Sequence, residues 1–247
     1  MRASRTAAAI VGVLCAGGVA PAVAAADPPT IQEQAQHPAA AASRVHLGGV
    51  RVRLADGTKQ VVTVHHRRGW HARVTLWERR AGSWARLASA RDGRTGYGGL
   101  VPGVDREQGT GTTPLGSYRM TESFGLAARP AGATLPFHRV RAGDYWVQDN
   151  ASRWYNTLRN RHQGGFRWRL DGYNSSERLR DYRSQYRWSV VIDFNRPNPV
   201  RHRGSGIFLH VNGDGATAGC VSTPRRLMRL MMRRLDPDKV PVIAIGR

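Results

Sequence analysis

Two side chains in the stretch Ile207–Leu235 (IFLHVNGDGATAGCVSTPRRLMRLMMRRL) have the types and spacing for nucleophilic chemistry: His210 and Cys220. A thiol attacks as the thiolate, and its pKa falls beside a histidine or a helix N-terminus. His210 ends an apolar run, a loop carrying Gly213, Gly215 and Gly219 follows, and Cys220 precedes a predicted helix start. Glycines let such a loop turn tightly and approach a ligand closely. With Gly219 just before the cysteine, the Gly219 and Cys220 N–H groups can face a substrate carbonyl, an oxyanion hole of the acyl-transfer kind. The competing reading is a buried structural cysteine beside a satisfied core histidine. The second cysteine, Cys15, falls in the N-terminal leader, so a lone thiol remains once the leader is gone.

Chain order narrows the chemistry. All nine histidines precede Cys220. A papain-like peptidase places histidine after cysteine, which this chain cannot do. A sortase places its histidine far upstream and an arginine on a later strand, whereas His210 lies ten residues before Cys220, and Arg225 and Arg226 fall in the predicted helix. His202 is a second candidate base, but its neighbours Arg201 and Arg203 disfavour an imidazolium. One cysteine and scattered histidines give no metal-ligand spacing; His65 and His66, adjacent on a predicted strand, point to opposite sides. No metal and no other cofactor is expected.

The elements that must hold this pair are mainly strands. Val50–Leu54 alternates apolar and polar residues, Asp56-Gly57 marks a turn, and Val61–Val64 follows as the predicted hairpin partner. Arg73–Glu78 and Trp84–Ala88 form a second predicted hairpin around Ala81-Gly82. Tyr118–Met120, Trp188–Phe194, Ile207–Val211 and Val240–Ile245 read as further strands. One helix is predicted, with Thr223 as N-cap and Pro224 at its first position. Leu227, Leu230, Met231 and Leu235 form its apolar stripe, and Asp236-Pro237 stops it. Residues 145–170 interleave aromatics with arginines, a pattern that either stacks on bases or fills a loop-rich core.

Residues 1–26 have the pattern of a secretory signal peptide: Arg2 and Arg5, the apolar Ala7–Ala20, and small residues Ala24–Ala26 before Asp27. The run is interrupted by glycines and is shorter than the roughly 20 apolar residues a membrane span needs, so no stable membrane anchor is expected. Residues 27–44, rich in Ala, Pro and Gln, read as a disordered linker. A β-rich region at 45–100 and a catalytic region at 101–247 complete the expected organisation. The chain has 38 basic and 17 acidic residues; without Arg2 and Arg5 the charge is +19, and only Lys59 and Lys239 are lysines. Such a surface is drawn to polyanions. In an exported, extracellular and cell-wall-associated protein the expected partner is an anionic wall polymer or membrane surface rather than nucleic acid. The alternative is a compositional arginine bias spread over a solvated surface.

Three stretches carry a family resemblance: Thr113-Pro114-Leu115-Gly116-Ser117-Tyr118; Asp144-Tyr145-Trp146-Val147-Gln148-Asp149 with Tyr155-Asn156; and Phe208-Leu209-His210-Val211 with Thr217-Ala218-Gly219-Cys220-Val221-Ser222. Together they resemble the L,D-transpeptidase catalytic domain (YkuD, or ErfK/YbiS/YcfS/YnhG, family), and within it an exported actinobacterial branch, over roughly Val101–Gly246. The resemblance implies a mainly β fold, a β-sandwich or barrel with one C-terminal amphipathic helix. It implies that Cys220 attacks a peptidoglycan stem-peptide carbonyl and passes the acyl group to an amine on a neighbouring stem. His210 would be the base, oriented by a backbone carbonyl, and carbapenem-type β-lactams would acylate the same thiol. Thr217, Tyr145, Trp146, Tyr155 and Asn156 would line the substrate. Most members read S/T-H-G-C at the nucleophile; here Ala218 replaces that histidine, in a shortened loop, and can neither titrate nor donate from its side chain. Two neighbours of this reading stay open: hydrolysis at the same site, as an L,D-carboxypeptidase or endopeptidase, and a basic wall-binding protein without chemistry.

Overall fold

The structure, a computed structural model, describes residues 43–247. The signal peptide expected at 1–26 and nearly all of the linker expected at 27–44 lie outside the described residues. Arg44, the last linker residue expected, already belongs to a strand.

The described chain opens with a hairpin of β1 (Arg44–Leu47) and β2 (Val50–Arg53), turned by Gly48 and Gly49, both at positive φ. A meander follows: β3 (Gln60–His66), β4 (His71–Arg80) and β5 (Ser83–Arg94). The β4–β5 turn falls at Ala81 and Gly82, as the sequence predicts, with both residues at positive φ. The predicted pairing of Val50–Leu54 with Val61–Val64 does not form. β3 is buried along Gln60–Val64 and is flanked by two other strands, which leaves β2 no edge to join; β2 pairs back onto β1.

Next come β6 (Leu100–Pro102), β7 (Thr113–Arg119), β8 (Ser123–Gly125) and β9 (Phe137–Arg139). A separate three-stranded sheet holds β10 (Asp144–Trp146) between β11 (Leu158–Asn160) and β12 (Glu177–Arg178). The chain ends with β13 (Ser189–Val191), β14 (Phe208–Val211), β15 (Val221–Thr223), the helix α1 (Arg225–Arg234) and β16 (Val242–Gly246). Eleven strands form one sheet in the order β6-β7-β16-β3-β4-β5-β15-β14-β13-β8-β9. β3–β16 and β14–β15 are parallel pairs within it.

Side chains alternate across each strand, and the clusters follow that alternation. Val62 and Val64 of β3, Val74 and Leu76 of β4, and Ile243 and Ile245 of β16 join Val190, Leu209 and Val221 from the other half of the sheet. Strands from both halves thus face one core, as in a sandwich, and α1 adds Leu227, Met228, Met231 and Met232 to it. The opposite faces of β3 and β16 (Val61, Val242, Ala244) are covered by Val50 and Val52 of the β1–β2 hairpin. The fold is mainly β with one α-helix near the C-terminus among the described residues.

The helix start differs by one residue from the prediction. Pro224 is the N-cap and Arg225 the first helical residue; Thr223 ends β15, and its hydroxyl has no partner. At the other end, Gln60 donates to the Arg234 carbonyl (2.7 Å), an orphan acceptor of the last turn, and accepts from the Asp236 N–H just beyond the helix (2.9 Å).

The boundary expected at 100/101 marks no break in this sheet. β3, β4 and β5 are its middle strands, paired to β16 on one side and to β15 on the other. Among the described residues no helix is long and apolar enough to cross a membrane.

Candidate active site

β14 and β15 bring the two chemical residues to one face. Leu209 pairs with Val221 and His210 with Ser222 in parallel register. Leu209 and Val221 point into the main core. Phe208, His210 and Cys220 therefore share the opposite face, where Phe208 and Cys220 cluster with Phe124, Trp146, Leu179 and Tyr186. Cys220 and His210 both line a cleft of about 770 Å³.

The Cys220 thiol donates to the Gly206 carbonyl (3.3 Å) and accepts from the Phe208 N–H (3.3 Å). Burial, and then the charge of Glu177, push it up to about 12; the Phe208 N–H and the Arg106 guanidinium act in the other direction. The sequence-based expectation that the helix start lowers this pKa is not met, because β15 separates Cys220 from α1 and burial dominates. His210 Nδ1 lies 2.8 Å from the Val211 carbonyl. A carbonyl only accepts, so Nδ1 carries the proton and Nε2 is the basic nitrogen of the neutral ring. Burial pushes His210 down to about 4. The pair is therefore a neutral thiol and a neutral imidazole at neutral pH. The edge of Tyr186 abuts the imidazole, with ring centroids 5.4 Å apart.

The nucleophile loop is braced from the stretch before residue 100. Arg94 donates to the carbonyls of Gly213 (2.5 Å) and Gly215 (3.2 Å). The Thr217 N–H donates to Thr95, and the Tyr97 N–H donates to Thr217. The Thr217 hydroxyl donates to the Cys220 carbonyl (2.6 Å) and accepts from the Gly219 N–H (3.2 Å). Of the two N–H groups expected to form an oxyanion hole, that of Gly219 thus donates to Thr217. Of the three loop glycines only Gly219 has a positive φ (127°), and a Cβ there would sit 2.8 Å from the Thr112 carbonyl and 2.9 Å from the Arg106 guanidinium.

Of the residues expected to line the substrate, Thr217 and Tyr145 reach the cleft. Trp146, Tyr155 and Asn156 do not; they are buried behind it. Asn156 Oδ1 accepts from Trp146 Nε1 (2.9 Å) and the Gly206 N–H (3.0 Å), while Nδ2 donates to the carbonyls of Phe194 and Asn195. Tyr155 donates to Gln108 and accepts from the Gly204 N–H (3.0 Å). These residues fix the 204–206 backbone, whose Gly206 carbonyl holds the thiol. The aromatic–arginine stretch is thus largely core: Trp146, Tyr155 and Phe166 are buried, and Arg159 packs 3.9 Å over Trp154.

Two charged residues that act on Cys220 were not singled out by the sequence. Arg106 is buried, donates to the carbonyls of Thr112 (2.8 Å) and Arg203 (3.1 Å), and lines the cleft. Glu177, on β12, accepts from the Tyr186 hydroxyl and from Gln148 Nε2 (3.4 Å) and also lines the cleft. Nothing in the local sequence marks one arginine among so many, or a glutamate on a two-residue strand. Among the described residues, no group of three or more His, Cys, Asp or Glu is placed to hold a metal ion.

The mainly β fold agrees with the comparison to known families. The model of the L,D-transpeptidase catalytic domain (YkuD) matches residues 72–243, and the chain belongs to that family. The family acts on peptidoglycan and is inhibited by carbapenems. No curated protein and no solved structure matches the chain.

Proposed function

We propose that this protein is an exported L,D-transpeptidase that cross-links peptidoglycan stem peptides through a Cys220 thioacyl-enzyme, with His210 as the base. The observation that carries this reading is the shared face of β14 and β15, where the buried thiol and an imidazole with a free Nε2 line one cleft. A donor stem peptide enters and the thiol proton passes to His210 Nε2 as sulfur attacks the carbonyl. The imidazolium returns the proton to the departing amine, leaving a thioester on Cys220. The acceptor amine then attacks the thioester, His210 takes a proton from the attacking nitrogen, and the thiol is restored. Because the resting pair is neutral, ionisation is coupled to attack, and the nearby Arg106 guanidinium favours the developing thiolate.

The test is incubation of the protein with a diaminopimelate-containing tetrapeptide stem, with products read by mass. The proposal predicts a cross-linked dimer of stems that is absent with Cys220→Ala. A Cys220→Ala variant with full cross-linking contradicts it. Addition of water alone places the site with L,D-carboxypeptidases.

A second reading, binding of an anionic wall polymer, is favoured by one observation outside the active site. A cleft of about 550 Å³ is lined by Arg67, Arg68, His71, Arg73 and Arg91, with no acid among its lining residues. Burial, and then the charges of Arg73 and Arg67, hold the neighbouring His65 below its ordinary value. This cleft supports retention of the enzyme on its polymer and leaves the chemistry with Cys220.

A further inference from the structure

In a chain with 38 lysines and arginines, an acid facing the catalytic cleft without a cation is unusual. Glu177 is such an acid. It makes no ion pair among the described residues, although Arg178 follows it directly; Arg178 pairs with Asp181 instead (3.4 Å). Its register on β12 sets it opposite Trp146 of β10, and it lines the same cleft as Cys220. Glu177 Oε2 lies 3.5 Å from where a Gly206 Cβ would stand, and the Gly206 carbonyl is the acceptor of the Cys220 thiol. Tyr186 and Gln148 hold the two carboxylate oxygens, which leaves further lone pairs open to the cleft.

An acid desolvated in this way costs free energy unless a ligand supplies its counter-charge. Arg106, the other charged group acting on Cys220, is already committed to the carbonyls of Thr112 and Arg203. The cleft thus has an unneutralised negative point beside the thiol, where a positively charged substrate group is the complementary chemistry. In the reaction above, which this inference presupposes, one substrate group is cationic in water and must lose a proton to react: the acceptor ammonium.

We propose that Glu177 is a catalytic residue of the second half-reaction, which binds the acceptor ammonium beside the Cys220 thioester and takes its first proton. The ammonium gives one proton to the Glu177 carboxylate and becomes a free amine. The amine nitrogen forms the new bond to the thioester carbonyl carbon, its second departing proton goes to His210, and the C–S bond breaks with that proton returned to sulfur. Glu177 then releases its proton to water. Burial raises the Glu177 carboxyl to about 7, against the hydrogen bonds from Tyr186 and Gln148, so it can both accept and release a proton near neutrality. The titratable and charged groups that line the cleft with it include Tyr186, Tyr182 and Asp181 from the turns after β12, Cys220 and His210, and the arginines Arg106, Arg169 and Arg178. None of the three arginines pairs with Glu177: Arg178 pairs with Asp181, and Arg106 donates to the carbonyls of Thr112 and Arg203.

The experiment follows two quantities on the full chain with a diaminopimelate tetrapeptide stem as donor and acceptor, between pH 6 and 9. One is the single-turnover release of the terminal amino acid, which reads acylation. The other is the partition of the acyl-enzyme between cross-linked dimer and hydrolysed stem. Glu177→Gln removes a negative charge from beside Cys220 and so is not expected to slow acylation, whereas its dimer-to-hydrolysis ratio is expected to fall about a hundredfold at pH 7. That ratio should climb with pH in the variant as solution removes the amine proton, and Glu177→Asp should recover part of it at pH 7. A Glu177→Gln ratio equal to the native one overturns the assignment. So does an equal loss of acylation and transfer in both variants, or a native enzyme that acylates but yields only hydrolysed stem. A native protein that does not acylate at all overturns the transpeptidase reading itself.

Discussion

At the scale of single residues, the thiol and imidazole are held neutral by the same cause, burial, acting in opposite directions on their pKa values. Two consequences separate this arrangement from a pre-formed thiolate–imidazolium pair. As the proposed base His210 must be unprotonated, and burial holds its pKa near 4 instead of 6.5, so acylation should persist at pH 5 and fail only as the pH drops through about 4. The measurement is the pH dependence of the acylation rate; an acid limb near 6.5 would contradict it. The free thiol, with its pKa near 12, should also alkylate slowly with iodoacetamide at pH 7 and faster as the pH rises. His210→Ala should lower acylation by about a hundredfold or more at unchanged fold. Cys220 and His210 stood out in the sequence because a lone cysteine follows a histidine across a short glycine-bearing loop, and the structure sets both on one cleft. Arg106 and Glu177 did not, because their placement comes from long-range juxtaposition: Arg106 reaches the Arg203 carbonyl 97 residues away, and Glu177 comes near Cys220 only through the packing of β12 on the sheet.

At the scale of elements, precision at the site depends on polar side chains that brace backbone. Asn156 ties Trp146, Gly206, Phe194 and Asn195 together. Asn156→Ala leaves several buried groups unpaired and should cost about 2–4 kcal/mol in denaturant unfolding. It should also lower kcat, since the Gly206 carbonyl positions the thiol. Gln60→Ala strands the Arg234 carbonyl and the Asp236 N–H at the end of α1, and should cost about 2 kcal/mol with little effect on activity. Strand alternation and the β4–β5 turn were legible, since period-two patterning and Ala81-Gly82 are local signals. The β1–β2 pairing was not. Asp56-Gly57 does turn the chain, with Gly57 at positive φ, yet β3 is claimed by β4 and by β16 from the far end of the sequence. The family motif residues Trp146, Tyr155 and Asn156 were visible as a motif, but their spacing could not tell a cleft wall from the layer behind it.

At the scale of the whole molecule, the strands before residue 100 are the centre of the sheet and the brace of the nucleophile loop. Deletion of residues 45–100 should therefore abolish cooperative unfolding, and an active 101–247 fragment would contradict this account. The charge asymmetry belongs to the same scale. Association with an anionic polymer should weaken with salt as screening sets in, and should weaken more in a variant with Arg67, Arg68, Arg73 and Arg91 changed to Gln than in one with four arginines changed elsewhere; sedimentation with cell-wall preparations reads it. The central claim, that Cys220 is the acylated nucleophile of a stem-peptide-like cleft, is tested most directly by intact mass after mixing the protein with a carbapenem, with Cys220→Ala alongside. One covalent adduct on the native protein and none on the variant is the predicted result; no adduct on the native protein, or an equal adduct on both, would contradict it.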